Sequence, residues 1–221
     1  MKPVTARVVL ALALGLAAMP AAAHDGFIGV YGDAAGTQCC ANIPGASTLY
    51  IIATTGGATS SGITGVEFRL EVTNPAGWFF VPSLLPPTVL GSVMDTQPLN
   101  AGDGSGANAA WGSCQPASAP SLAGDRILLG TLTAINAGGG PTELLVKAHS
   151  RPSSPSFTCP LFSLCDKPTY TLVCMTAREV DSKSEAIVFR TSINNPACNG
   201  SLCAPVSLQQ KTWSSVKELY R

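Results

Sequence analysis

Charge is scarce in this chain. Of its 221 residues only 12% are Asp, Glu, Lys or Arg, and 13 basic residues balance 13 acidic ones. A nucleic-acid binder needs a basic stripe to displace phosphate counterions, and a polybasic membrane-surface protein needs a similar cluster, so both classes are excluded. Aromatic residues make up 6% of the chain, few for a flat sugar-binding face. Histidine occurs only at His24 and His149. No Cys-x-x-Cys pair is present, which argues against a zinc site built on thiolates. No Gly-x-Ser-x-Gly elbow is present either. A Ser–His–carboxylate triad would have to use His149 with Asp125 or Asp166, and nothing in the spacing links them.

Beyond the first residues no apolar run is long enough to cross a bilayer. The N-terminus itself has the pattern of an export signal. Lys2 and Arg7 precede the apolar Val8 to Ala18, and Ala21 and Ala23 place small side chains where a signal peptidase reads. The expected division is a signal peptide over 1–23, a body over 24–205 and a tail or short helix over 206–221. Cleavage after Ala23 would leave 198 residues with a formal charge of 11 minus 13, or −2, beginning at His24. The expected location is secreted or periplasmic.

The glycine and proline content is high, at 22 and 17 residues, which predicts many turns and little helix. Short apolar or alternating segments lie between those turns. "FIGVY" (27–31), "TLYIIATT" (48–55), "WFFV" (78–81), "RILLGTLTAI" (126–135), "ELLVKAHS" (143–150), "TYTLVCMT" and "AIVFRTSI" read as strands. In "GVEFRLEVT" (65–73), Val66, Phe68, Leu70 and Val72 alternate with Glu67, Arg69, Glu71 and Thr73, which predicts one buried and one wet face. In 143–150, Glu143, Leu145, Lys147 and His149 are likewise expected to face water. Residues 98–125 and 150–168 read as long loops. The tail "TWSSVKELYR" has capping-box spacing from Ser215 to Glu218, and Trp213, Val216 and Tyr220 fall near one helical face.

Eight cysteines lie in the expected exported part: Cys39, Cys40, Cys114, Cys159, Cys165, Cys174, Cys198 and Cys203. An even number in an exported chain reads as a disulfide framework. Cys39 and Cys40 are adjacent, so each is expected to take a different partner. Cys159 with Cys165 and Cys198 with Cys203 would close short local loops. Cys39 and Cys40 would then pair with Cys114 and Cys174.

The segment "LYIIATTGGATSSGITGVEFRLEVTNPAGWFFV" resembles the first hairpin of cohesin-like sandwich modules, in which an apolar strand, a Gly-rich turn and an alternating strand follow one another. The vicinal cysteines after "GVYGDAAGTQ" and the "CPLFSLCDKP" loop resemble exported, cysteine-containing bacterial proteins without an assigned role. The resemblance implies a sandwich used for recognition or structure. It combines with the strand pattern into one expectation: an all-β, antiparallel β-sandwich, cohesin-like or Ig-like, closed by a short C-terminal helix.

Candidate chemistry is sparse. The main expectation is a non-enzymatic module for extracellular recognition, adhesion or structural assembly, needing no cofactor and binding a protein or a glycan. Its candidate contact is Trp111 in the long loop. The alternative is a copper site. An N-terminal His24 would offer its amine and ring, and His149 would supply a further nitrogen. That arrangement resembles the histidine brace of copper polysaccharide monooxygenases and small periplasmic copper carriers. Two weaker possibilities are a carboxylate pair from Glu67 and Glu71, and calcium at "DGSGAN" (103–108). The twelfth position of that loop holds Cys114 where an EF-hand requires Glu.

Overall fold

The computed structural model describes residues 26–56, 59, 61–84, 89–94, 105–115, 121–122, 126–166, 168–175 and 177–196. These form fourteen strands and no α-helix. The strands are β1 (Phe27–Tyr31), β2 (Cys40–Ala41), β3 (Ala46–Thr54), β4 (Ile63–Val72), β5 (Trp78–Leu84), β6 (Val89–Met94) and β7 (Ser105–Gln115), followed by β8 (Ser121–Leu122), β9 (Arg126–Asn136), β10 (Thr142–Lys147), β11 (Leu161–Leu164), β12 (Leu172–Cys174), β13 (Glu179–Val180) and β14 (Ala186–Ile193). The expected C-terminal helix and the signal peptide lie outside the described residues.

Five strands make one sheet, in the order β1-β3-β9-β5 with β8 beside β9. Nine make the other, with β12-β11-β4-β10-β14-β13 as its main path, β7 on the far edge of β4, β6 beyond β7, and β2 beside β14. All pairs are antiparallel except β2 with β14. A single apolar cluster joins the inner faces. Ile28, Val30, Leu49, Ile51, Ile127 and Leu129 come from the smaller sheet, and Val66, Phe68, Leu70, Leu144, Val146 and Phe189 from the larger. Thr191 Oγ1 donates to the Val30 carbonyl across the interface at 2.5 Å, and the Phe27 and Tyr31 rings meet Phe189 at 5.8 and 5.0 Å. This is a β-sandwich.

Three details depart from the sequence expectation. "TLYIIATT" and "GVEFRLEVT" do not form a hairpin, because β3 pairs with β1 and β9 in one sheet while β4 pairs with β7, β10 and β11 in the other. The Gly-rich stretch between them is a crossover between sheets. The "WFFV" strand does not stop at Pro82: β5 continues to Leu84, with Pro82 opposite Leu132. It can do so because β5 is an edge strand, where a missing N–H leaves no ladder bond unmade. The 98–125 stretch is not all loop, since residues 105–115 form β7, which pairs with β4 from Ile63 to Leu70.

The disulfides also differ from the Cys159–Cys165 loop expected, and from the expected pairing of Cys114 and Cys174 with Cys39 and Cys40. Cys114 bonds Cys165 and Cys159 bonds Cys174, with Cα separations of 5.6 and 5.7 Å. Cys39 and Cys40 are both disulfide-bonded as well, while Cys198 and Cys203 lie outside the described residues. The reason is β11. It stands as an extended strand between Cys159 and Cys165, and six residues at about 3.3 Å each hold their ends roughly 20 Å apart, far beyond bridging distance. Antiparallel pairing of Leu161 with Cys174 instead brings Cys159 to Cys174. Gly62 answers to the other bridge: at φ +101° it has no Cβ, and one there would collide with Cys114 Sγ and the Gln115 carbonyl.

Digestion without reduction is expected to release Cys114 joined to Cys165 and Cys159 joined to Cys174; a peptide joining Cys159 to Cys165 would contradict the pairing. Replacing Cys159 and Cys174 together by serine, which opens a 15-residue separation, is expected to cost about 3 kcal/mol in a denaturant melt.

Candidate functional site

The outer face of the nine-stranded sheet is the chemically unusual part of the molecule. Strand alternation sends Glu67, Arg69 and Glu71 of β4 outward, together with Leu145 and Lys147 of β10, which stand opposite Glu71 and Arg69. This face was expected to be wet, yet Glu67, Arg69, Leu145 and Lys147 are 3%, 7%, 3% and 1% exposed. Two segments cover it. The 148–158 loop lies over Glu67, whose carboxylate accepts from the Ser153 backbone N–H. The turn after β13 lays Asp181 and Glu185 over Lys147.

Burial of charge on this scale requires partners. Lys147 Nζ meets Asp181 at 2.5 Å and both Glu71 and Glu185 at 3.1 Å. Arg69 meets Glu71 at 3.1 Å and Glu185 at 2.5 Å. The hydrogen bond from Lys147 holds the Asp181 carboxyl down at about 2, below its ordinary 3.8. Burial works against the charge on Lys147, but its three carboxylate partners outweigh that and raise its pKa. A second group sits alongside, where Arg190 bridges Glu179 and Glu143. The charged joint "AREVDSKSE" (177–185) therefore closes over the sheet through Asp181 and Glu185.

Beside this network the same face opens into a trough of about 400 Å³. Its floor is made of small side chains in register, with Ala110 opposite Gly65 and Gly65 opposite Ser163. Glu67, with Asn108 Nδ2 donating to its Oε2 at 2.9 Å, forms one end. Phe157 stands on one rim; Tyr170 and Leu172, 43% and 46% exposed, stand on the other.

The Tyr170 rim is held with unusual firmness. Both ends of the 165–174 hairpin carry a disulfide, Cys165 to β7 and Cys174 back to Cys159. Within it Asp166 organises the turn. Its main-chain carbonyl accepts from the Thr169 and Tyr170 N–H groups, and its carboxylate accepts from the Thr171 N–H and hydroxyl. The Thr171 hydroxyl lowers the Asp166 pKa. Tyr170 takes φ +49°, a left-handed conformation that costs an aromatic residue on the order of 1 kcal/mol.

Trp111 is 9% exposed and belongs to the core, on the same face of β7 as Ala107 and Ala109, and it also lines the trough. His24 lies outside the described residues. His149 follows β10, its Nδ1 accepts from the Arg151 N–H at 3.0 Å, and its ring lies over Gly106, where a Cβ would collide with Nε2. Among the described residues no group of three or more His, Cys, Asp or Glu side chains is placed to hold a metal ion. Ser105 to Asn108 of the calcium candidate are strand, and Asp103 lies outside the described residues. Glu67 and Glu71 do share a face, but Glu71 is committed to Arg69 and Lys147. Tyr170 and Leu172 were missed; "DKPTY", a turn sequence ending in an aromatic between two cysteines, was the available signal.

No protein family and no curated protein matches the chain. Cohesin modules are among the solved structures similar to it. One belongs to a family 33 glycoside hydrolase of Clostridium perfringens, at 10% identity and a TM-score of 0.42, over 78% of this chain and 97% of that one. Two come from Acetivibrio cellulolyticus. The sixth cohesin of scaffoldin B, solved with a Cel5 dockerin, has 9% identity and a TM-score of 0.43 over 76% and 97%. A type II cohesin domain of the cellulosome has 11% identity and a TM-score of 0.43 over 76% and 95%. The sandwich assignment rests on the strand pairings and the shared core described above.

The ion network sets an acid limit to stability. A carboxyl depressed in the folded state stabilises above its ordinary pKa and loses that contribution as pH falls to its folded value, so Asp181 acts between pH 3.8 and about 2. Urea midpoints are expected to fall across that window, and Lys147→Met is expected to lose part of the fall. The same variant, which removes the buried cation shared by Glu71, Asp181 and Glu185, is expected to cost about 3 kcal/mol at neutral pH. Identical acid profiles for the two proteins would contradict the assignment.

Proposed function

We propose that this chain is an exported, non-enzymatic binding module that engages an extracellular protein or glycan through the trough on the outer face of its larger sheet. The observation that carries the reading is Tyr170, an exposed aromatic in a left-handed backbone, fixed between two disulfides at the rim of a cleft. Strain of this kind persists where the surrounding structure over-determines it, and such positions cluster at ligand clamps. A fixed aromatic also loses little conformational freedom on binding, which makes it a favourable anchor.

Other features support the reading. The trough combines small side chains on its floor and the apolar Phe157 and Leu172 with polar groups such as Glu67, Asn108 and Ser163, a mixture suited to holding and orienting a ligand. Disulfides at both ends of the rim hairpin suit an oxidising compartment. The likeness to cohesin modules is one of fold and supplies no partner.

The test is an array of extracellular proteins and glycans, followed by affinity measurements on each purified binder. Tyr170→Ser and Leu172→Ser are each expected to weaken binding about tenfold or more. Val180→Ser, at a site 66% exposed on β13, is expected to leave it unchanged. Equal affinity for all three variants and the parent would move the contact surface elsewhere.

A further inference from the structure

We infer that the trough receives a basic side chain, the lysine or arginine of a partner protein, with its cation against Glu67. This deepens the reading of the trough as a contact surface and rests on it. Glu67 is 3% exposed and lines the trough. Among the described residues its donors are neutral: the Asn108 amide at 2.9 Å and the Ser153 N–H at 3.1 and 3.3 Å from its two oxygens. Arg69, two residues along on the same face, turns its charge to Glu71 and Glu185, and Lys147 turns to Glu71, Asp181 and Glu185. The hydrogen bonds ease the desolvation of Glu67 without neutralising it, and a carboxylate still has acceptor capacity beyond these contacts.

The surroundings point the same way. The adjoining network contains three carboxylates and two cations, so its cations are already committed and it carries no spare positive charge for Glu67. Tyr170 and Phe157 both line the trough, and an aromatic ring attracts a cation that reaches its face. The floor of Gly65, Ala110 and Ser163 leaves room for an aliphatic stem beneath, which suits a long side chain with an apolar shaft and a charged end. An anionic ligand would meet only repulsion at Glu67. A neutral sugar would leave the charge unanswered.

The experiment is amide chemical-shift titration of the oxidised, full-length protein with three probes. These are Nα-acetyl-lysine methylamide, its uncharged isostere Nα-acetyl-norleucine methylamide, and a neutral oligosaccharide, cellohexaose. The lysine probe is expected to shift the amides of Gly65, Ala110, Ser163 and Tyr170, and to bind at least about tenfold more weakly to Glu67→Gln. Tyr170→Ser, at an exposed position, is expected to weaken it as well and keeps the test decisive if Glu67→Gln does not fold. Equal shifts from the norleucine probe, or unchanged lysine binding in Glu67→Gln, would overturn the inference. Shifts from cellohexaose alone would overturn it too, while leaving the trough as a contact surface. Silence from all three would overturn the cation assignment, and the variant affinities on array binders would decide the broader reading separately.

Discussion

The pair of disulfides around the 165–174 hairpin is the constraint on which the outer face depends. Cys165 is tied to Cys114 at the end of β7, and Cys174 to Cys159 at the end of the covering loop. The two bridges therefore fix three segments against one another: β7, the 148–158 loop and the hairpin itself. Those segments are the floor and both rims of the trough. The last strand of the 165–174 segment, β12, is three residues long and lies at the sheet edge, paired only with β11. Cross-linked at both ends, the segment can hold Tyr170 in a conformation that a free loop would abandon.

The second constraint is the ion network, and its logic differs. Arg69 and Lys147 on neighbouring central strands cannot reach water once the covering turns close. Their carboxylate partners arrive from β4 and from the turn after β13. Buried ion pairs stabilise little relative to a well-packed apolar core, but breaking one is costly. The network consequently acts as a lock on the position of the 177–185 segment. It leaves Glu67 as the charge on that strand with no ion pair among the described residues, and this asymmetry gives the trough its chemical character.

Much of the fold was legible in the sequence, and the reasons for the failures are physical. Alternation in 65–73 identified Val66, Phe68, Leu70 and Val72 as core, since a period of two needs no tertiary information. The same alternation misread Glu67, Arg69 and Lys147 as wet, because periodicity tells which face a residue occupies and not what covers that face. The crossover between β3 and β4 was taken for a hairpin because a Gly-rich join is compatible with either. The cysteine pairing was misread because loop length was weighed without the strand that separates Cys159 from Cys165. Trp111 drew attention as an aromatic in a polar stretch, yet Ala107, Ala109 and Trp111 follow strand alternation and face the core. Tyr170 was passed over because its importance lies in a backbone angle and two flanking bridges, neither of which a residue pattern expresses.

The central claim is that the rim of the trough is rigid before any partner arrives. Backbone ¹⁵N relaxation across residues 165–174 tests it directly. Order parameters near about 0.85 at Thr169, Tyr170 and Thr171, equal to those of the sheet, are the predicted result. Values below about 0.6 at those residues in the oxidised protein would mean that the hairpin is a mobile loop, and would contradict the account.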